Sequence, residues 1–246
     1  MGKRIALVTG AAKGIGKAIA DSLINENCFV IAVDADEKNG KKLLMEYGRD
    51  KTAFAKADIS REATVIHLFE KIRKEYGRLD VLVNNAGIIR DNLIWNMSMD
   101  DYETVMNVNL KGTWLMCREA AKLMKEQRSG RIVNIASRAW LGNRGQSNYA
   151  ASKAGIVSLT RVLALELGRY SVCVNAVAPG LIKTPMTEKL DKEVLEKLID
   201  AQPTKSMGTP EDVAALVAFL ASGKNCFITG QTIYVDGGKS IGAGIS

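Results

Sequence analysis

The chain has 246 residues, 47% hydrophobic and 25% charged, with 22 glycines and only 4 prolines. These fractions are those of an ordinary globular protein and exclude low complexity and extended disorder. No run approaches the roughly 18 apolar residues that a membrane span needs, and 34 Lys and Arg against 27 Asp and Glu leave a net charge of +7.

The basic residues are scattered, and no paired Cys/His finger or aromatic RNA-binding run accompanies them. Neither nucleic acid nor a membrane is expected as a partner; the charge reads as a solvated surface or as steering for an anionic substrate. Four cysteines (Cys28, Cys117, Cys173 and Cys226) lie far apart, and His67 is the single histidine. That spacing predicts no disulfide framework and no metal, and it argues against Ser-His-Asp and Cys-His mechanisms. The segment Met1-Gly2-Lys3-Arg4 runs straight into apolar residues, too short for a signal-peptide core, so the reducing cytoplasm is the expected location.

Apolar runs at 5–8, 29–33, 79–83, 132–135 and 172–178 read as buried strands, with a weaker one at 52–55 and a last at 232–235. Helical patterns at 15–23, 63–76, 149–167 and 211–220 alternate with them. Continuous apolar strands alternating with helices predict an α/β fold, a parallel sheet covered by helices on both faces. No linker or repeat interrupts the pattern, so residues 1–246 read as one domain. The least regular stretch, 181–208, holds Pro185, Pro203 and a helical patch at 188–198. It reads as a lid over a ligand or as a plain surface excursion; the motifs below favour the lid.

The first strand is followed directly by Thr9-Gly10-Ala11-Ala12-Lys13-Gly14-Ile15-Gly16, opening a helix. Glycines there let the backbone turn tightly and approach a pyrophosphate, while the helix N-terminus offers amide donors. The second strand ends on Asp34, 18 positions after Gly16. A carboxylate there accepts both ribose hydroxyls of an adenosine and repels a 2′-phosphate by about 3 kcal/mol, on the order of a hundredfold. Lys13 acts in the opposite sense, as a partner for that phosphate, and Asp34 also reads as a cap for a helix starting near Glu37. NAD(H) is the expected cofactor, with NADP(H) as runner-up.

Tyr149 and Lys153, four positions apart in a helical segment, share one helix face. Such a pair is usually a solvated surface, but the glycine turn, Asp34 and Ser137 together point elsewhere. A free tyrosine titrates near 10, and a neighbouring ammonium stabilises its phenolate. Ser137, 12 positions before Tyr149 and just beyond a strand, is placed to donate to a substrate oxygen.

Taken together, Thr9-Gly-x-x-x-Gly-x-Gly16, Asp58-Ile59, Asn84-Asn85-Ala86-Gly87, Asn109, Ser137, Tyr149-x-x-x-Lys153 and Pro179-Gly180 closely resemble the short-chain dehydrogenase/reductase family over essentially the whole chain. The resemblance implies a three-layer Rossmann-type doubly wound sheet of about seven strands, hydride transfer between a nicotinamide and a carbonyl carbon, and a homotetramer. It also implies that Tyr149 is the general acid or base, that Lys153 lowers its pKa and holds the nicotinamide ribose, that Ser137 orients the carbonyl, and that Asn109 anchors a water leading from Lys153. By the same resemblance, Gly10, Lys13, Gly14, Ile15, Gly16, Asp34, Asp58, Ile59, Asn85, Ala86, Gly87, Pro179, Gly180, Ile182 and Thr184 surround the cofactor, with Asn84 beside Gly87 in its cleft.

Segments such as Ile88-Ile89-Arg90-Asp91-Asn92-Leu93 and Pro185-Met186-Thr187-Glu188 are similar to the 3-oxoacyl-[acyl-carrier-protein] reductase branch. That likeness implies a 3-oxoacyl thioester as substrate, on acyl carrier protein or CoA, or the reverse 3-hydroxyacyl dehydrogenation. Arg128 and Arg169 match or adjoin basic positions that this branch uses for the carrier. The sequence departs from the branch in carrying Asp34 and in Ser137-Arg138-Ala139-Trp140, a cation and a bulky indole in place of small apolar residues. Arg138 reads as a partner for an anionic substrate group or as a surface cation paired with a nearby acid. Trp140 and Met186 are candidate pocket residues or packing residues. Another secondary alcohol, small and anionic, cyclic or polyol, is the alternative substrate; a nicotinamide-binding regulator without catalysis is the alternative class.

Overall fold

The computed structural model describes residues 2–185, 187–189 and 191–241. Seven strands, β1 (Arg4–Thr9), β2 (Cys28–Asp34), β3 (Thr52–Lys56), β4 (Val81–Asn84), β5 (Gly130–Ile135), β6 (Val172–Pro179) and β7 (Thr232–Val235), form one parallel sheet in the order β3-β2-β1-β4-β5-β6-β7. The helices are α1 (Gly14–Asn25), α2 (Glu37–Tyr47), α3 (Glu62–Tyr76), α4 (Met99–Val105), α5 (Thr113–Gln127), α6 (Ser147–Leu167), α7 (Lys192–Asp200) and α8 (Pro210–Ala221). This is the doubly wound α/β sheet expected from the alternation of strands and helices.

Successive strand residues point to opposite faces, and both faces are buried. On one, Leu7, Val33, Leu82 and Ile132 pack against Leu68 and Ile72 of α3, Leu115 and Met116 of α5, and Leu163 of α6. On the other, Ala6, Val8, Val83 and Val133 meet Ile19 and Leu23 of α1 and Val213 and Val217 of α8. Strands that must be apolar on both sides read as unbroken runs, which is why they were legible.

Two boundaries shift for identifiable reasons. The run at 79–83 becomes a strand only at Val81: a side chain holds Leu79, while Asp80 already bonds Ile5 O and Arg131 N through its backbone. Gln127 brackets the Leu79 backbone with bonds of 2.8 and 2.9 Å, and the Asp80 carboxylate accepts from Ile5 N at 2.8 Å. The patch at 188–198 becomes a short turn at Thr187–Lys189 and then α7, because Asp191 accepts from Glu193 N at 2.9 Å and caps the helix there.

Strand order reverses between β1 and β4, and a ligand crevice opens at such a point beyond the carboxyl ends of the strands. Gly10 and Gly14 take φ of +64° and +56°, conformations that side chains rarely adopt. Gly16 packs so tightly that a Cβ would collide with the Gly10 carbonyl oxygen and the Asn85 amide. Gly16→Ala is therefore expected to destabilise the protein by about 1–3 kcal/mol, read as a lower urea midpoint, and to weaken dinucleotide binding. An unchanged midpoint would show that the turn has slack.

Candidate active site

The glycine turn is tied to the strand across the crevice. Asn85 Nδ2 donates to Thr9 O and Gly10 O, each at 3.1 Å, and the Thr9 hydroxyl accepts from Asn85 N and Ala86 N at 3.0 and 3.1 Å. No side chain caps the N-terminus of α1, where Lys13 stands exposed. A Cβ on Gly14 would come within 3.8 Å of Thr184, so the open space at the turn is bounded by the segment after β6. Ile182 anchors that segment by pairing with Gly208, and Thr187 Oγ1 accepts from Thr184 N at 2.9 Å and donates to Ile182 O at 2.9 Å. A helix N-terminus without a side-chain cap and a tight glycine turn fit a pyrophosphate, so the residues present suit a dinucleotide.

Asp34 sits where β2 ends and does not cap α2. That helix is capped by Asp36, whose side chain accepts from Asn39 N at 3.2 Å. The Asp34 carboxylate instead accepts from Ala12 N and Asp36 N, both at 2.9 Å. It is thereby held against the glycine turn as a fixed negative charge. Asp36 titrates below the ordinary range, chiefly through the Asn39 side chain, with the Lys13 cation a smaller contributor. Asp58 is also lowered, chiefly by the Ser60 hydroxyl at 2.7 Å. Ile59 is buried beyond β3 and would meet a Cβ on Gly112.

The second half of the site lies past β5 and on α6. Tyr149 and Lys153 stand one turn apart, with the Lys153 amine 5.6 Å from the centre of the Tyr149 ring. The amine is 3% exposed and donates to Ile135 O at 2.8 Å. Burial alone lowers its pKa to about 8. Burial likewise pushes the Tyr149 phenol up, while a hydrogen bond with Ser137 pulls it down. The Ser137 hydroxyl accepts from Ala139 N at 3.1 Å, which directs its own proton elsewhere. The sequence pointed to a neighbouring ammonium as the influence on the phenol; in the protein by itself, desolvation outweighs it for both groups.

Asn109 lies in a π-helical turn, Met106–Gly112, between α4 and α5. Its side chain grips the Ile88 backbone, accepting from N at 2.8 Å and donating to O at 3.0 Å, and donates to Ser152 Oγ at 3.2 Å. A Cβ on Gly87 would lie 3.3 Å from Asn109 Oδ1 and 3.5 Å from the Lys153 amine, so these three positions converge. Past β6, a Cβ on Gly180 would strike Asp236, which keeps the chain close to the end of β7. Asn84 departs from expectation. It turns into the core, donating to Cys117 Sγ at 3.1 Å and Asn134 Oδ1 at 2.8 Å, and does not face the cofactor crevice.

Trp140 packs on a small cluster that includes Ala136, Ile156 and Ala178, and its indole N–H finds no acceptor. Met186 lies outside the described residues. Arg128 and Arg169 flank Tyr170, with guanidinium carbons 5.8 and 4.8 Å from its ring and the Lys125 amine at 5.6 Å. These cations precede β5 and β6 and so lie at the opposite edge of the sheet from Tyr149. Sequence reasoning missed Asn148, which is wholly buried. It donates to Arg90 O at 2.9 Å and accepts from Tyr149 N, pinning the start of α6 beside Tyr149. Its only signal was its place directly before Tyr149, at the start of a helix whose buried face also holds Ser152, Lys153 and Thr160.

The Lys153 value of about 8 lies below the ordinary 10.5, so between those pH values the unfolded chain holds the extra proton and the native amine is neutral. Below about 8 the buried charge costs stability, and that cost fades as pH climbs towards 10.5. Lys153→Met is expected to raise the melting temperature at neutral pH by roughly 2–6 °C despite the lost hydrogen bond. Calorimetry should show this advantage shrinking between pH 8 and 10; an advantage that grows with pH would contradict the sign.

A family profile described as "Enoyl-(Acyl carrier protein) reductase" matches residues 10–240. The (2S)-[(R)-hydroxy(phenyl)methyl]succinyl-CoA dehydrogenase subunit BbsD of Thauera aromatica is 43% identical over 98% of both chains. The 3-oxoacyl-[acyl-carrier-protein] reductase FabG of Thermotoga maritima is 43% identical over 97% of this chain and 98% of its own, and that of Escherichia coli is 38% identical over 96% of each. With the doubly wound sheet, the glycine turn at its switch point and Ser137, Tyr149 and a buried Lys153 past β5 and on α6, the chain belongs to the short-chain dehydrogenase/reductase family, oxidoreductases that act on CH–OH groups with a nicotinamide cofactor.

Proposed function

We propose that this enzyme is an NAD(H)-linked reductase of 3-oxoacyl thioesters, running also as the 3-hydroxyacyl dehydrogenase. The observation that carries the reaction is the joining of the Ser137 hydroxyl, the Tyr149 phenol and the Lys153 amine at one end of the sheet. A bound nicotinamide supplies or accepts the hydride. Tyr149 gives its proton to the carbonyl oxygen during reduction and takes it back during oxidation. Ser137 donates to the same oxygen and holds it in place. Lys153, anchored by Ile135 O, stabilises the phenolate whenever it carries its proton, and Asn109 steadies the Ile88 backbone alongside. Since burial raises the phenol, alcohol oxidation is expected to speed up with rising pH and carbonyl reduction to be favoured by lower pH.

The substrate class rests on similarity: the related enzymes are named for oxo or hydroxy groups on acyl thioesters of CoA or acyl carrier protein. NAD(H) over NADP(H) rests on Asp34, whose two oxygens are held by backbone amides and cannot swing away from a 2′-phosphate. Residues 1–246 act as one domain in this reading, with 181–208 as the lid, Ile182 and Thr184 at its base. The cations around Tyr170 suit an acidic carrier protein. Because they lie far from the same subunit's Tyr149, carrier delivery calls for an assembly of subunits, and a homotetramer fits the exposed Trp114, Val162 and Leu165 on α5 and α6. No helix among the described residues is long and apolar enough to cross a membrane, in keeping with a cytoplasmic enzyme.

A panel of acetoacetyl thioesters, ketones and secondary alcohols, each with both cofactors, tests the assignment. Acetoacetyl-CoA should turn over with NADH, and NADPH should be poorer by on the order of a hundredfold in kcat/KM. Asp34→Ser should narrow that gap. Tyr149→Phe should lower kcat by about 10²–10⁴ while NADH affinity, read by fluorescence, stays nearly unchanged. Failure on thioesters beside rapid turnover of a small alcohol would reject the substrate, and near-normal turnover by the phenylalanine variant would reject the mechanism.

A further inference from the structure

A cation beside the catalytic serine has no counter-charge. Arg138 begins the short helical turn Arg138–Leu141, and the turn is tied back to the Ser137 hydroxyl through Ala139 N. The sequence left two readings for this side chain, a substrate contact or a surface cation paired with an acid. The second fails: among the described residues the ion pairs involve other cations, and no carboxylate lies within 4.0 Å of the Arg138 guanidinium. Its Nε is sealed from solvent and has no acceptor at all.

Arg138 is half-buried, with its Nε sealed off and its terminal nitrogens not, and its guanidinium keeps its charge at every physiological pH. Leaving one of its donors buried and unsatisfied is unfavourable, and native proteins leave few such groups unless a ligand completes them. The neighbouring residue, Ser137, bonds the phenol that exchanges a proton with the substrate. A permanent cation with an open donor therefore stands one residue from the group that fixes the reacting oxygen. A thioester and a ketone supply only neutral oxygens there. The complement of a planar, forked cation is a carboxylate.

We propose that Arg138 binds a free carboxylate on the acyl part of the substrate, so that the preferred substrates are 3-oxoacyl or 3-hydroxyacyl thioesters carrying a second acid group. This rests on the thioester reading above, which it narrows. Arg138 is then the specificity residue, and the reaction itself remains with Ser137, Tyr149 and Lys153.

The test compares pairs of 3-oxoacyl-CoA probes, each a dicarboxylic half-thioester and its methyl ester, which differ in charge and little in shape. The wild-type enzyme should favour the free acid by roughly 10–100-fold in kcat/KM, mostly through KM. Arg138→Gln should bring that ratio close to one, and Arg138→Lys should restore part of it, with NADH affinity confirming that each variant is folded. Equal use of acid and ester by the wild type, or a ratio unmoved in Arg138→Gln, would overturn the proposal. If no thioester is used but a small 3-hydroxydicarboxylate is oxidised and Arg138→Gln raises its KM, the arginine assignment stands and the thioester reading falls. If the small dicarboxylate is used equally well by the variant, both fall.

Discussion

A primary amine buried beside a phenol is the constraint around which this molecule is arranged. Lys153 lies almost wholly out of water, and its one protein acceptor is the carbonyl of Ile135 at the end of β5. A buried amine without that carbonyl would be unsatisfied, and the phenol beside it is itself raised by burial. Holding the pair in register requires a strand that ends at Ile135, a helix that begins close to Ser147, and a fixed vertical offset between them. Asn148 sets the start of the helix through Arg90 O, and Ser152 ties it to Asn109.

The same sheet gathers the rest of the site at its carboxyl edge. Parallel strands all deliver their carboxyl ends to one side, so the glycine turn after β1, Asp34 on β2, Gly87 after β4 and Ser137 after β5 meet there without long loops. The charge distribution is divided between the edges. At the carboxyl edge the Asp34 carboxylate is tied to the glycine turn, and after β5 stands Arg138, a guanidinium with no carboxylate partner among the described residues. The aromatic-centred cations of Lys125, Arg128 and Arg169 occupy the opposite edge.

Beneath the site runs a chain of buried amides and hydroxyls, from Asn84 through Asn134 to Thr160, which joins β4, β5 and α6. Asn84 was legible as part of a motif, yet its direction was not. Strand alternation sends it to the face covered by α3, α5 and α6, where Cys117 and Asn134 receive its donors. Asp34 shows the reverse: its position at a strand end was plain, while its escape from a capping role depended on Asp36 standing two residues later with better reach to the first turn of α2.

Hydrophobic period and glycine placement were enough to read the layered parallel sheet and to single out the tight glycine turn after its first strand, because each is a local pattern whose physics acts over a few residues; Ser137, Tyr149 and Lys153 were singled out by their spacing together with the family resemblance. What they did not reach was everything set by distant partners: how far burial moves the phenol and the amine, which way Asn84 turns, and whether Arg138 has an acid to pair with. Those depend on which side chains from separate strands and helices arrive at the same point in space, and on how much water is excluded when they do.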